Sequence, residues 1–255
     1  MTSPQKIVIT GASSGLGMAL AWGYARPGCI LGLIGRDRDR LEAVALQCRE
    51  KGAETHIALL DVTDSDAIGT WLREFDHQHP IDLCIANAGI SAGTGGGGES
   101  AEQARHIFNV NVNGVINTIT PVLDRMKTRH KGQVAIVSSI AGFRGSPTAP
   151  AYSASKAAVR YLSQALNGEF APHGVQVSVI CPGFIQTPMT TVNRFPMPFI
   201  MTADKAATII RKGLERKKNK IIFPLPMALL ARLQNMIPDT LINRLYRSVP
   251  AKPSE

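Results

Sequence analysis

Tyr152 and Lys156 stand four residues apart in a stretch of helical patterning, so a helix would put a phenol and an ammonium on one face. A free tyrosine, with a pKa near 10, exchanges protons poorly at neutral pH. An ammonium about 4 Å away would favour phenolate by roughly 4 kcal/mol at an effective dielectric of 20, or about three pKa units. A phenol tuned in this way can give or take a proton where an alkoxide forms or collapses. Upstream, Ser138 and Ser139 close an apolar run, and near the N-terminus Thr10-Gly11-Ala12-Ser13-Ser14-Gly15-Leu16-Gly17 joins a strand-like run to a helical one. Glycines at such a turn allow a tight bend and let backbone N–H groups approach a pyrophosphate. Taken singly, each feature has an ordinary explanation: neighbours on a helix surface, a strand-end cap, a strand-to-helix turn. Ser139 lacks the G-x-S-x-G elbow, which argues against a serine nucleophile. Of six histidines only His77 and His79 are close in sequence, so no metal site is expected.

The elements that must position these groups alternate along the chain. Strand-like runs cover 6–10, 30–34, 55–60, 81–86, 133–138, 175–181 and 221–223, with helical patterns at 15–26, 38–51, 65–76, 101–129, 152–171 and 203–218. The strands are apolar throughout instead of alternating, as burial on both faces requires. Strands regularly separated by helices imply parallel β-α-β units. The expected fold is therefore α/β, a doubly wound, Rossmann-like, seven-stranded parallel sheet in three layers. No linker or repeat divides the 255 residues, which favours one domain over 1–255.

The glycine spacing G-x-x-x-G-x-G resembles that of the short-chain dehydrogenase/reductase family, and further motifs extend the likeness from about residue 5 to residue 190. These are Asp61-Val62, Asn87-Ala88-Gly89, Tyr152-Ser153-Ala154-Ser155-Lys156 and Pro182-Gly183. Ala86 departs from the pattern, since many members carry a second asparagine there. The resemblance implies an oxidoreductase that moves a hydride between a nicotinamide and a carbonyl/alcohol pair. It makes Tyr152 the general acid/base, and Lys156 the group that lowers its pKa and binds ribose. Ser139 would orient the substrate oxygen and Asn111 would hold a relay water, with Asn109 and Asn113 close enough to compete for that assignment. Gly11, Gly15, Leu16 and Gly17 would form the cofactor turn, and Ser13 or Ser14 would donate to phosphate. Asp61 would meet the adenine amino group and Val62 its ring. Asn87, Ala88 and Gly89 would line the nicotinamide ribose, and Pro182, Gly183, Ile185 and Thr187 the nicotinamide side.

At the end of the second strand Gly35 takes the place of the acid that would bond the 2′-hydroxyl of NAD, and Arg36 follows. A guanidinium suits a 2′-phosphate, so NADP(H) is favoured over NAD(H). Asp37 complicates this, because it could repel that phosphate or reach the ribose. Alternatively, both charges are solvated and cap the next helix. Met189, Phe195, Met197, Phe199, Ile200 and Met201 suggest an apolar substrate lid over 188–202, which points to a hydrophobic ketone or secondary alcohol. Packing explains these residues equally well. Gly93 and Gly95 to Gly98 read as a mobile loop at the rim.

The net charge is +9, but no basic stripe carries interleaved aromatics, so nucleic acid is not an expected partner. Cys29, Cys48, Cys84 and Cys181 lack C-x-x-C spacing and read as buried reduced thiols, suiting the cytoplasm. No signal-like N-terminus or membrane-length apolar run is present. The tail over 223–255 places Leu230, Leu233 and Ile237 on one face beside Arg232, Arg244 and Arg247, with a second short helix starting near Ile237-Pro238-Asp239. It can cover the domain or a neighbouring subunit, the favoured reading, or touch a membrane surface. Family members are commonly homodimers or homotetramers. The main alternative function is a catalytically silent NADP-binding sensor on the same fold, and the sugar-nucleotide epimerases are disfavoured by chain length and glycine spacing.

Overall fold

In a computed structural model that describes residues 5–93, 98–193, 195–234 and 237, the expected strands form one parallel sheet. They are β1 (Lys6–Thr10), β2 (Ile30–Gly35), β3 (Glu54–Leu59), β4 (Leu83–Ala86), β5 (Gly132–Val137) and β6 (Val175–Pro182). A two-stranded pair, β7 (Ile185–Gln186) with β8 (Met201–Thr202), stands apart, and β9 (Lys220–Phe223) completes the main sheet. Its order is β3-β2-β1-β4-β5-β6-β9. The period-2 geometry of a strand explains why the runs are apolar throughout. Ile7, Ile9, Leu31, Leu33, Leu83 and Ile85 enter one core, while Val8, Ile34, Cys84, Ala86, Val134 and Ile136 enter the other.

Helices α1 (Gly15–Tyr24) and α2 (Arg38–Glu50) cover the first face, and α3 (Ser65–Gln78) covers the second. The expected helix over 101–129 is divided: α4 (Ala101–Phe108) passes through a π turn at Asn109–Asn113 into α5 (Gly114–Thr128). Such turns are rare inside helices and favour functional sites. After the 3-10 turn Ile140–Phe143, α6 (Pro150–Phe170) starts two residues ahead of Tyr152, with Pro150 at its first position, where a missing N–H costs nothing. The strand expected from residue 81 begins at 83. The Ile81 N–H donates to Asp76 and the Ile81 carbonyl accepts from Arg129, so side chains replace the ladder at residue 81, whereas the Asp82 backbone still bonds to Lys6 and Gln133.

The segment expected to be a lid holds α7 (Pro188–Thr191) and β8, followed by α8 (Ala203–Glu215). Met201 is a core residue of β8, and Phe199 and Ile200 face solvent, so these three do not form an apolar cover. Tail residues fold as α9 (Leu225–Gln234). Gly95 to Gly97, the Arg232 side chain, Arg244, Arg247 and the helix expected beyond Ile237 lie outside the described residues. All four cysteines are buried, and none forms a disulfide among the described residues. No helix among the described residues is long and apolar enough to cross a membrane.

Candidate active site

Strand order reverses between β1 and β4, whose following helices leave on opposite faces, and this opens a crevice at the carboxyl ends of the strands. A cleft of about 670 Å³ lies there. Its floor is the turn from β1 to α1. Gly11 has φ +65°, and a Cβ on Gly17 would stand 2.1 Å from the Gly11 carbonyl oxygen, so helix and strand end meet only without side chains. Asn87 Nδ2 donates to the carbonyls of Thr10 and Gly11, and the Thr10 hydroxyl accepts from the N–H groups of Asn87 and Ala88. The ends of β1 and β4 are thereby locked together. Ser13, Ser14, Gly15 and Leu16 line the cleft, and the Ser14 side chain makes no cap bond although it occupies the N-cap of α1. Free N–H groups, a hydroxyl and the helix dipole face the same space, an arrangement suited to a pyrophosphate.

At one end of the cleft Arg36 Nη1 donates to Asp61 Oδ2 at 3.3 Å. Burial pushes the Asp61 carboxyl up, but hydrogen bonds from the Thr63 N–H and hydroxyl, together with Arg36, hold it below the usual range. Asp37 is the N-cap of α2, accepting from the Arg40 N–H and pairing with the Arg40 guanidinium. Its carboxylate is therefore engaged locally, as the capping alternative anticipates. Arg40 also lines the cleft beside Arg36. Its place at the cleft carries no mark in the sequence, because Arg36 lies ahead of α2 and helical spacing does not pair the two.

At the other end Ala88 and Gly89 face Pro182 and Gly183, and Val62, Ile185 and Thr187 also reach the cleft. Thr187 and Thr190 form a capping box that fixes α7 against β7.

Tyr152, Lys156 and Ser139 line that same end. A hydrogen bond joins Ser139 to the Tyr152 phenol, and the Ser139 Oγ also accepts from the Ala141 N–H at 3.1 Å. Burial raises the Tyr152 pKa, and the Ser139 hydrogen bond opposes it. Lys156 Nζ donates to the Val137 carbonyl at 3.0 Å and stands 5.9 Å from the centroid of the Tyr152 ring. Desolvation costs this ammonium so much that its pKa falls to about 8.

Asn111 sits in the π turn, fully buried and behind the cleft wall. Its Nδ2 donates to the Ile90 carbonyl and to Ser155 Oγ, while its Oδ1 accepts from the Ile90 N–H. Both amide donors are thus consumed, and only acceptor capacity remains for a water. Asn109 and Asn113, its competitors, bond to each other near the surface.

A second cavity, about 370 Å³, adjoins Tyr152 and Ser139. Phe184, Met189 and Phe195 line it, as do Met227, Leu230 and Ala231 from α9. The tail therefore contributes to this wall, while Leu225, Leu229 and Leu233 face solvent. Glu99 was also overlooked in the sequence: its Oε2 accepts from the Ala151 N–H at 2.8 Å, anchoring the first turn of α6 beside Tyr152.

Comparison with known proteins fits this geometry. A family model described as short chain dehydrogenase matches residues 5–196. An "uncharacterized oxidoreductase" of Myxococcus xanthus is 36% identical over 241 residues, covering 94% of this chain and 95% of that protein. Among solved structures, a short-chain dehydrogenase from Sphingobium yanoikuyae in complex with NADPH aligns with a TM-score of 0.81, at 29% identity over 96% of each chain. A "bulky-bulky ketone specific alcohol dehydrogenase" from Comamonas testosteroni aligns with a TM-score of 0.78, at 27% identity over 96% of this chain and 95% of that one.

Proposed function

Because the chain belongs to the short chain dehydrogenase family, we propose that it is a single-domain, NADP-dependent oxidoreductase acting on a hydrophobic ketone or the matching secondary alcohol. The observation that carries this reading is the meeting of Tyr152, Ser139 and Lys156 with the glycine turn in the walls of one cleft. The bound nicotinamide would supply or accept the hydride. The cleft suits a dinucleotide: the α1 N-terminus takes the pyrophosphate, Arg36 and Arg40 frame the adenosine end, and Gly89, Ile185 and Thr187 line the nicotinamide end. Arg36 turns from Asp61 toward the 2′-phosphate. That exchange is cheap, because an exposed ion pair is worth about 0–1 kcal/mol, and it leaves Asp61 for the adenine amino group.

Ser139 holds the substrate oxygen, and the phenol of Tyr152 gives its proton to the alkoxide as that oxygen gains charge. Desolvation, which keeps the phenol protonated, suits the reductive direction. Lys156 binds ribose hydroxyls and draws closer to the phenol as it exchanges the Val137 carbonyl for them. Asn111 fixes the Ile90 backbone, and a relay water is left with the acceptor oxygens that its side chain does not use. The apolar cavity beside Tyr152 supports a hydrophobic substrate, and the ketone specificity of the Comamonas testosteroni neighbour is compatible with that. A homo-oligomer located in the cytoplasm completes the reading.

The test is a panel of aliphatic, cyclic and aromatic ketones assayed by NADPH and NADH oxidation, with the alcohols run in reverse. Turnover is expected for hydrophobic ketones with NADPH favoured. Absence of turnover with every substrate in both directions, despite tight NADPH binding, would support the silent sensor instead.

A further inference from the structure

At the outer edge of the sheet, far from the cleft, β3 carries Glu54 and His56 two residues apart. Their side chains leave the same face as Ala58, which packs into the core beneath α3. His79 is the C-cap of α3 and closes over that face. One ligand atom from each of Glu54, His56 and His79 lies within 4.8 Å of the others. His56 Nε2 is 2.7 Å from Glu54 Oε1, and the two imidazole centroids are 4.9 Å apart.

The imidazoles are held by an aromatic floor. Phe75 meets His56 edge-on at 5.6 Å and His79 at 5.3 Å, and Trp71 stacks on Phe75 at 5.1 Å. This stack can press onto the sheet because residue 32 is glycine: a Cβ there would stand 2.9 Å from Trp71 and 3.3 Å from Phe75. Two rings fixed by packing lose little freedom when they take a ligand. Glu54 is exposed and both histidines are half-buried, so the cluster opens to water.

We propose that Glu54, His56 and His79 form a binding site for a divalent transition-metal cation of the zinc type. Two imidazoles and a carboxylate suit zinc, cobalt or copper better than magnesium or calcium, which prefer oxygen alone. With bonds of about 2.0–2.1 Å, tetrahedral ligand atoms stand about 3.4 Å apart. Atoms now within 4.8 Å of one another reach that spacing by rotation of the exposed glutamate and small ring shifts. The cation replaces the hydrogen between His56 and Glu54. Neutral His56 keeps its proton on Nδ1 and gives the Nε2 lone pair to the metal, and water fills the fourth position. Asp61 follows the end of β3, five residues after His56, and at about 3.3 Å per extended residue the ion lies roughly 16 Å from it. It would tie the edge strand to the end of α3, stabilising the fold without entering the redox chemistry. The proposal is therefore independent of the functional reading above.

The full chain, stripped with a chelator, is titrated with Zn²⁺ by calorimetry and followed by thermal unfolding, with Co²⁺ as a visible-absorption probe. One Zn²⁺ per chain is expected, with a higher melting temperature and tetrahedral Co²⁺ bands. His56→Ala and His79→Ala should each weaken binding at least tenfold. Glu54→Gln, at an exposed position that leaves the fold intact, should weaken it several-fold. His173→Ala should change nothing, although His173 and His130 form another imidazole pair at 6.2 Å. Absence of saturable Zn²⁺ binding, or binding indifferent to Glu54, His56 and His79, would overturn the proposal.

Discussion

Replacing Lys156 by methionine removes a buried ammonium while keeping the length of the side chain, and the consequence can be worked from the structure. Lys156 is 4% exposed, and desolvation lowers its pKa to about 8 in the fold, against 10.5 in an open chain. That separation corresponds to about 3 kcal/mol against the charged form. Below pH 8 both states carry the proton, so the folded protein bears the whole penalty. Between pH 8 and 10.5 the unfolded chain binds more protons than the folded one, so stability rises with pH. Relative to Lys156→Met, wild type should gain about 2 kcal/mol between pH 7 and pH 9.5. The Val137 carbonyl also loses its donor in the variant. That loss does not depend on pH, so it offsets the two curves without changing their slopes. The assay is urea unfolding of the cofactor-free proteins at half-unit pH steps, read by circular dichroism. Parallel stability profiles for wild type and variant across this window would refute the reasoning.

NADPH should raise the melting temperature more than NADH. Arg36→Ala should cost NADPH about 2 kcal/mol, roughly 30-fold in Kd by titration, while NADH binding barely changes; equal losses for both cofactors would contradict the assignment. Asp76 is buried against Arg125, Arg129 and the Ile81 N–H. Asp76→Ala should destabilise by about 3–5 kcal/mol in denaturant unfolding, since two guanidiniums lose their partner. Burial raises the Asp76 carboxyl, but hydrogen bonds from Arg129, Ile81 and Arg125 hold it below 3.8, so its contribution is present above that pH and lost as pH falls through the lowered value. Wild type, but not Asp76→Ala, should show this acid loss. Gly17→Ala places a methyl 2.1 Å from the Gly11 carbonyl. It should abolish detectable NADPH binding in fluorescence titration, whereas Ala at the uncrowded Gly168 should leave binding intact.

Much of the fold was legible in the sequence because fully buried strands have a plain signature: apolar at every position and bounded by helical patterns. The β1–α1 turn was legible for a related reason, since its glycines are demanded by backbone contact. Departures came where side chains compete with the backbone. The Asp76 carboxylate and the Arg129 guanidinium hold residue 81 out of the ladder, and the π turn at Asn109–Asn113 leaves no mark in hydrophobic periodicity. On α6 the spacing placed Tyr152 and Lys156 on one face, but burial could not be read from it. The ammonium consequently seeks the Val137 carbonyl, and the phenol pKa rises. Long-range pairings were invisible for the same reason. Arg36 with Asp61, Glu99 with the α6 N-terminus, and the Glu54–His56–His79 cluster each join residues that only the sheet brings together.

Tyr152→Phe tests the central claim most directly, because it removes one hydroxyl and leaves the ring that packs beside the cleft. Single-turnover NADPH oxidation on the best ketone from the panel should fall at least 10²-fold, with NADPH affinity within a factor of about three of wild type. A variant that keeps most of its rate would contradict the assignment of Tyr152 as the proton donor.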